Sequence, residues 1–222
     1  MIDAEFDLLK GIMRHAGKLQ KGGHLYRQED PFDSVYLVRA GTFKVYRVDE
    51  WGEEQILGFY YQGDLIGVDG LSADRHICSA VALEPSSAYA ISFKLLERLC
   101  CDNPALQRRL FQMIGSEIAR EQQLMIIIGK FSAEQRVAAM LLGIAWRNKQ
   151  FGLAPERLWM PMTRAEMGNY LGMAMESVSR VLSNFQRRVV VDIDGKWIVV
   201  HDIDKLCAIA NSGHSEIQLL SI

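Results

Sequence analysis

Near residue 93 the chain changes its hydrophobic period from two to about three and a half, and any fold must satisfy both halves. Over residues 22–93, runs of β-branched and aromatic residues at 35–38, 42–48 and 55–61 are separated by Ala40-Gly41, Asp49-Glu50-Trp51-Gly52 and Gln62-Gly63-Asp64. Turn residues at roughly ten-residue intervals predict an antiparallel barrel, roll or sandwich. Residues 93–99 return to helical spacing. Asn103-Pro104 then reads as an N-cap with proline at the first helical position. Beyond it, Leu106, Leu110, Ile114, Ile118, Met125 and Ile128 form one apolar stripe on a helix predicted over 103–129. That helix is longer than a small domain needs to cover one sheet. Its spacing suits pairing with its own copy, with Leu110, Ile114, Ile118 and Met125 in the seam. A long core helix within a monomer is the alternative.

Ser132 and Gln135 read as a capping box opening a further helix whose buried face is Val137, Leu141 and Ile144. Residues 152–161 read as a loop, and the chain to about residue 209 as a second small domain. The tail from Asn211 has no clear period. The expected division is a β-roll domain over 1–102, the long helix over 103–131 and a C-terminal domain over 132–222.

The segment 163–185, TRAEMGNYLGMAMESVSRVLSNF, is the most informative. Thr163 and Glu166 form a capping box. Met167 and Leu171 give that helix a buried face, and Gly172 supplies a tight turn. A second helix follows from about Met175. At 100° per residue, Val178, Val181, Leu182 and Phe185 fall on one side, and Glu176, Ser179, Arg180, Ser183 and Arg187 on the other. An acceptor, a hydroxyl and guanidinium groups on one face suit base edges in a major groove. An ordinary hairpin with a solvated polar face is the alternative. The β-rich runs 189–193 and 197–200, joined by Asp194-Gly195-Lys196, predict a tight hairpin directly after that helix. Such a hairpin is a wing, with Lys196 at its tip placed to meet a phosphate.

The net charge of -2 means that any DNA-binding surface is a local patch. The opening ten residues carry three acidic side chains and no basic leader, so a secretory signal is not expected. The apolar stretch 124–129 is too short to span a bilayer. Cys78, Cys100, Cys101 and Cys207 form no CxxC pair and read as reduced thiols of a cytoplasmic protein.

QGDLIGVDGL (62–71), TRAEMGNYLG with ESVSRVL, and the wing DGKWIVV together resemble the CRP/FNR family of the cyclic-AMP receptor protein and the fumarate–nitrate reduction regulator. The resemblance spans about residues 19–206. It implies an α+β fold with an N-terminal antiparallel, cyclic-nucleotide-binding-like β-roll, a long dimerisation helix and a C-terminal winged helix-turn-helix. It also implies a homodimeric transcription regulator that partners DNA and RNA polymerase. Glu176-Ser177-Val178-Ser179-Arg180 matches the fumarate–nitrate branch. This makes Glu176, Ser179 and Arg180 the base-reading residues and Thr163, Arg164 and Lys196 the backbone contacts. The implied target is TTGAT, four bases, then ATCAA.

The roll departs from both branches. Val68 stands where the cyclic-AMP type has its ribose-binding glutamate. His76 and Ile77 stand where it has the Arg-Ser pair that holds the cyclic phosphate. A cyclic phosphate would lose its charge-assisted partner, so cyclic AMP is not expected as effector. No cysteine precedes Cys78, and Tyr89 occupies the place of the roll cysteine, so no iron–sulfur cluster is expected either. Haem on His15 or His24 and thiol sensing at Cys100-Cys101 are alternative inputs. Asp64, Asp69 and Asp74 recur every five residues without calcium-loop spacing. A cupin-like enzyme would need clustered histidines, and His24 and His76 stand apart.

Overall fold

The protein is described by a computed structural model, which covers residues 9–212. The acidic opening segment and the tail beyond residue 212 fall largely outside the described residues. The chain divides into two units, Met1–Glu117 and Ile118–Ile222.

In the first unit the alternating runs become β1 (Met13–Leu19), β2 (His24–Tyr26), β3 (Ser34–Ala40), β4 (Phe43–Val48), β5 (Glu54–Tyr60), β6 (Leu65–Ile66), β7 (Ser79–Ala82) and β8 (Ser86–Ser92). They pair antiparallel in two four-stranded sheets ordered β1-β8-β3-β6 and β2-β7-β4-β5. Alternation along β3 sends Tyr36 and Val38 towards the core shared with Phe43, Val45, Tyr60 and Ile66. It sends Val35 and Leu37 to a second cluster with Leu96 and Cys100 of α1 (Phe93–Asp102) and Leu106 of α2 (Pro104–Lys130).

Pro104 opens α2, a continuous helix of 27 residues that contains the boundary between the units. Leu106 is its one fully buried residue. Leu110 and Met113 are half-buried against the roll cluster. The Tyr60 hydroxyl donates to Glu117, tying the helix to β5.

The second unit holds α3 (Ala133–Gln150), β9 (Arg157–Trp159), α4 (Arg164–Leu171), α5 (Met175–Arg187), β10 (Val191–Asp194), β11 (Trp197–Val200) and α6 (Ile203–Ala210). Val137 and Leu141 of α3, Met167 and Leu171 of α4, and Val178, Leu182 and Phe185 of α5 are buried together with Leu158, Ile198 and Leu206. The three strands form one antiparallel sheet ordered β10-β11-β9. β9 corrects the expectation of a plain loop over 152–161. Three residues are too short to display alternation, and the strand is fixed from outside itself. Met160 N–H donates to the Lys196 carbonyl at 2.9 Å, and the Asn148 side chain of α3 donates to the Arg157 carbonyl at 2.9 Å.

Candidate nucleic-acid interface

Both predicted capping boxes form. Glu166 N–H donates to Thr163 Oγ1 at 3.1 Å, and Thr163 N–H donates to Glu166 Oε2 at 2.8 Å. The Ser132–Gln135 pair does the same for α3. α4 ends at Gly172 with φ 62°, in the left-handed region where glycine has no steric cost. Arg136 of α3 braces this turn. Its Nη1 donates to the carbonyls of Leu171 and Gly172, both at 3.0 Å. Its Nη2 donates to the Ile128 carbonyl at 2.6 Å, and its Nε to that of Phe131 at 2.9 Å. One guanidinium therefore joins the end of α2 to the turn between α4 and α5. The sequence gives no signal for this, because an arginine on a helix has no pattern that reveals its partners.

α5 divides as its spacing requires. Val178, Val181, Leu182 and Phe185 are buried, while Glu176, Ser179, Arg180, Ser183 and Arg187 are exposed. Glu176, Ser179 and Arg180 thus share a face directed away from the core. The proposed backbone residues are less alike. Thr163 is exposed, but its hydroxyl also donates to Glu166 Oε2 at 3.0 Å within its own cap. Arg164 is half-buried, with Nη1 3.3 Å from Met167 Sδ, and burial pulls its pKa down. Lys196 is exposed, with Nζ 5.6 Å from the centre of the Trp159 ring. It belongs to the predicted tight hairpin, whose turn is the two residues Gly195, at φ 58°, and Lys196, with Asp194 paired with Trp197.

On α2, Ile114 is half-buried with Leu110, whereas Ile118 and Met125 are exposed by 50% and 66%. Phe111 is 62% exposed and was absent from the expected stripe. It stands seven residues before Ile118, as Ile118 stands before Met125, and that spacing was its available signal.

In the roll, Val68 and Asp69 begin a short 3-10 turn, Val68–Ser72. The Asp69 carboxylate accepts from the backbone N–H of Ile77 at 2.9 Å and of Cys78 at 3.2 Å. The Tyr26 hydroxyl donates to it at 3.3 Å, and His76 Nδ1 lies 3.5 Å away. Burial pushes the Asp69 carboxyl up, but the His76 ring and the two N–H donors outweigh it and hold it below its ordinary value. The His76 ring is buried and stacks on Tyr26 with centroids 3.7 Å apart. The Ile77 side chain is exposed. His76 and Ile77, the two positions singled out by the resemblance, thus present a buried ring engaged with Tyr26 and Asp69 and an exposed aliphatic side chain.

The other sensing candidates are scattered. His24 Nε2 lies 2.9 Å from the Tyr46 hydroxyl, and burial with nearby Arg27 lowers its pKa. His15 is exposed, its ring 4.9 Å from that of Tyr89. Cys100 is buried, which pushes its thiol up, and Cys101 is exposed. Asp64 accepts from Tyr61 N–H within a turn, at 2.8 Å. Among the described residues, no three His, Cys, Asp or Glu side chains gather as a metal-ligand set.

A sheet roll, a long helix, and a helix-turn-helix with a wing define a DNA-binding regulator with a ligand-domain-like N-terminal half. Residues 17–103 match the cyclic nucleotide-binding domain family, and residues 135–209 match the Crp-like helix-turn-helix domain. The transcriptional activator protein Anr of Pseudomonas protegens is 38% identical over 206 residues, covering 93% of this chain and 84% of that protein. The fumarate and nitrate reduction regulatory protein of Salmonella typhimurium is 36% identical over 211 residues, covering 95% and 84%. The solved structure of FixK2 from Bradyrhizobium japonicum is similar with a TM-score of 0.80 at 26% identity, covering 89% of this chain and 97% of that one.

The chain belongs to the CRP/FNR family and is a DNA-binding transcription regulator, not an enzyme. Among the described residues, no helix is long and apolar enough to cross a membrane.

Proposed function

We propose that the protein is a cytoplasmic regulator that binds, as a homodimer, the palindrome TTGAT, four bases, ATCAA, and that it works with RNA polymerase. The observation that carries this reading is the exposed face of α5. Glu176, Ser179 and Arg180 lie on it together, opposite the buried Val178, Leu182 and Phe185. Arg180 donates to a guanine, Glu176 accepts from a cytosine amino group, and Ser179 touches a neighbouring thymine. Thr163, Arg164 and Lys196 serve the backbone, and Ile114, Ile118 and Met125 the dimer seam, while Leu110, read from the sequence as part of that seam, packs against the roll cluster. The two-fold axis of a dimer requires the inverted repeat.

Selection from random DNA tests the assignment. Arg180→Ala should lose the guanine preference at a cost of about 1–3 kcal/mol per half-site. A selected direct repeat, a site without the central guanine, or an unchanged preference in Arg180→Ala would each show that this assignment of the recognition face is wrong.

The effector is not cyclic AMP in this reading. The support is chemical: the Ile77 and Cys78 N–H groups already hold the Asp69 carboxylate, and His76 lies under Tyr26. An anionic ligand would have to displace a like charge from those donors. Calorimetry should detect no cyclic-AMP binding at micromolar concentration, and a clear isotherm there would overturn the point. A cluster bound by this chain's cysteines is likewise not part of the reading. Cys78 and Cys100 are buried in separate clusters of the roll unit, and Cys207 lies on α6 of the other unit.

A further inference from the structure

The outward face of the wing carries an arrangement that base reading does not use. Trp159 of β9 and Trp197 of β11 are directly opposite partners across their strand pair. Their ring centroids are 5.0 Å apart at an interplanar angle of 57°. A cation lies over each ring. The Arg157 guanidinium is 5.2 Å from the centre of Trp197, and Lys196 Nζ is 5.6 Å from the centre of Trp159. Arg157 of β9 thus rests on the tryptophan of β11, Lys196 of the turn before β11 rests on that of β9, and the four side chains form one clasp.

The sheet's register explains how they meet. Side chains at alternate positions share a face, so Arg157 and Trp159 lie together on β9, beside Trp197 and Val199 on β11. Leu158 and Ile198 point the other way and are buried. On β10, Asp194 is the partner of Trp197 and Asp192 the partner of Val199, so both acids lie on the outward face as well. Asp192 Oδ2 lies 3.3 Å from His201 Nε2. The face is therefore graded in charge, with carboxylates along β10, indole rings in the middle and cations towards β9. A polyanion is repelled at the β10 side and attracted at the β9 side and the tip.

We propose that Arg157 is a second phosphate-binding cation of the wing, and that Trp159 and Trp197 are positioning residues that hold Arg157 and Lys196 against the DNA backbone. The proposal rests on the reading of α5 and the wing as the DNA-binding surface. A long cationic side chain loses rotamer freedom when it meets a phosphate. One already lying on an indole ring has lost part of it beforehand. The occupant is a nucleic-acid backbone rather than a base, because the clasp presents cations with no acceptor among them, and phosphate contacts carry no sequence information. β9 itself is held in place by Asn148 and by the Met160–Lys196 backbone bond.

The test measures binding across a salt series to two duplexes, one carrying the TTGAT palindrome and one scrambled. Arg157 is exposed, so Arg157→Gln leaves the fold intact. It should lower the slope of log K against log salt by about one per half-site on both duplexes, with the preference for the palindrome kept. Trp159→Leu and Trp197→Leu should each weaken binding about threefold, and Trp159→Phe should restore most of the loss. An unchanged slope in Arg157→Gln, beside a lowered slope in Lys196→Gln, would remove Arg157 from the interface. Unchanged affinity in both tryptophan variants would overturn their positioning role. A wild-type protein without preference for the palindrome would count against the assigned reading face alone, since the slopes on scrambled DNA still decide the role of Arg157.

Discussion

Val189 is where a single side chain works against its own backbone. It follows α5 with φ at 52°, and its side chain is 67% exposed. The Val190 N–H donates to the Phe185 carbonyl and the Val189 N–H to that of Gln186, the bonding of a helix end that turns through a left-handed residue. A β-branched side chain there costs about 1–2 kcal/mol, and glycine gives back part of the relief as unfolded-state entropy. Val189→Gly should therefore stabilise the domain by about 0.5–1 kcal/mol, seen as a higher denaturant midpoint at unchanged slope. A lower midpoint would mean that the side chain contributes packing this geometry does not reveal. The sequence hides such a position, because the 189–193 run reads as uninterrupted strand. Residue-scale placement was legible where spacing carries it. The Thr163–Glu166 cap and the shared exposed face of Glu176, Ser179 and Arg180 were readable from their intervals. Asp69 was not, because the donors it satisfies are backbone groups eight and nine residues away.

At the scale of elements, what the sequence revealed depended on length. α5 was placed from Met175 because its apolar positions repeat over several turns. The Gly195–Lys196 turn was placed because the Asp-Gly pair marks it. β9 escaped because its three residues take their register from β11 and Asn148. The same dependence on distant partners governs Arg136, which bonds four carbonyls contributed by two helix ends. Arg136→Met should leave those carbonyls without their donor and cost about 2 kcal/mol. Arg136→Lys should recover only part, since an ammonium cannot reproduce the planar fork. Chemical denaturation reads the loss. DNA affinity measured well below the denaturation midpoint should also fall, because the turn that orients α5 loses its brace. A variant as stable as wild type would show that water replaces the guanidinium at no cost.

For the whole molecule, the proposed dimer rests on the long helix. The sequence stripe made α2 legible as an element, but it did not separate the part that packs on the chain's own roll from the part left over. Leu106, Leu110 and Met113 belong to the roll cluster, whereas Phe111, Ile118 and Met125 remain exposed at seven-residue intervals. Large apolar side chains left in a row on a helix mark an association surface, and a seven-residue repeat is the spacing that two supercoiled helices share. An inverted repeat in DNA needs two reading heads related by a two-fold axis, and a helix that pairs with its copy supplies that axis. Ile118→Asp places like charges across the seam and should cost several kcal/mol of dimer stability. The roll should keep its own fold, because Ile118 lies outside the roll cluster. Sedimentation equilibrium should then show a wild-type dimer and an Ile118→Asp monomer at micromolar concentration. The monomer should also lose affinity for the full palindrome far more than for a single half-site, because its two heads no longer bind as one unit. A wild-type monomer, with or without DNA, would assign Phe111, Ile118 and Met125 to some other partner and leave the two-fold target without its structural basis.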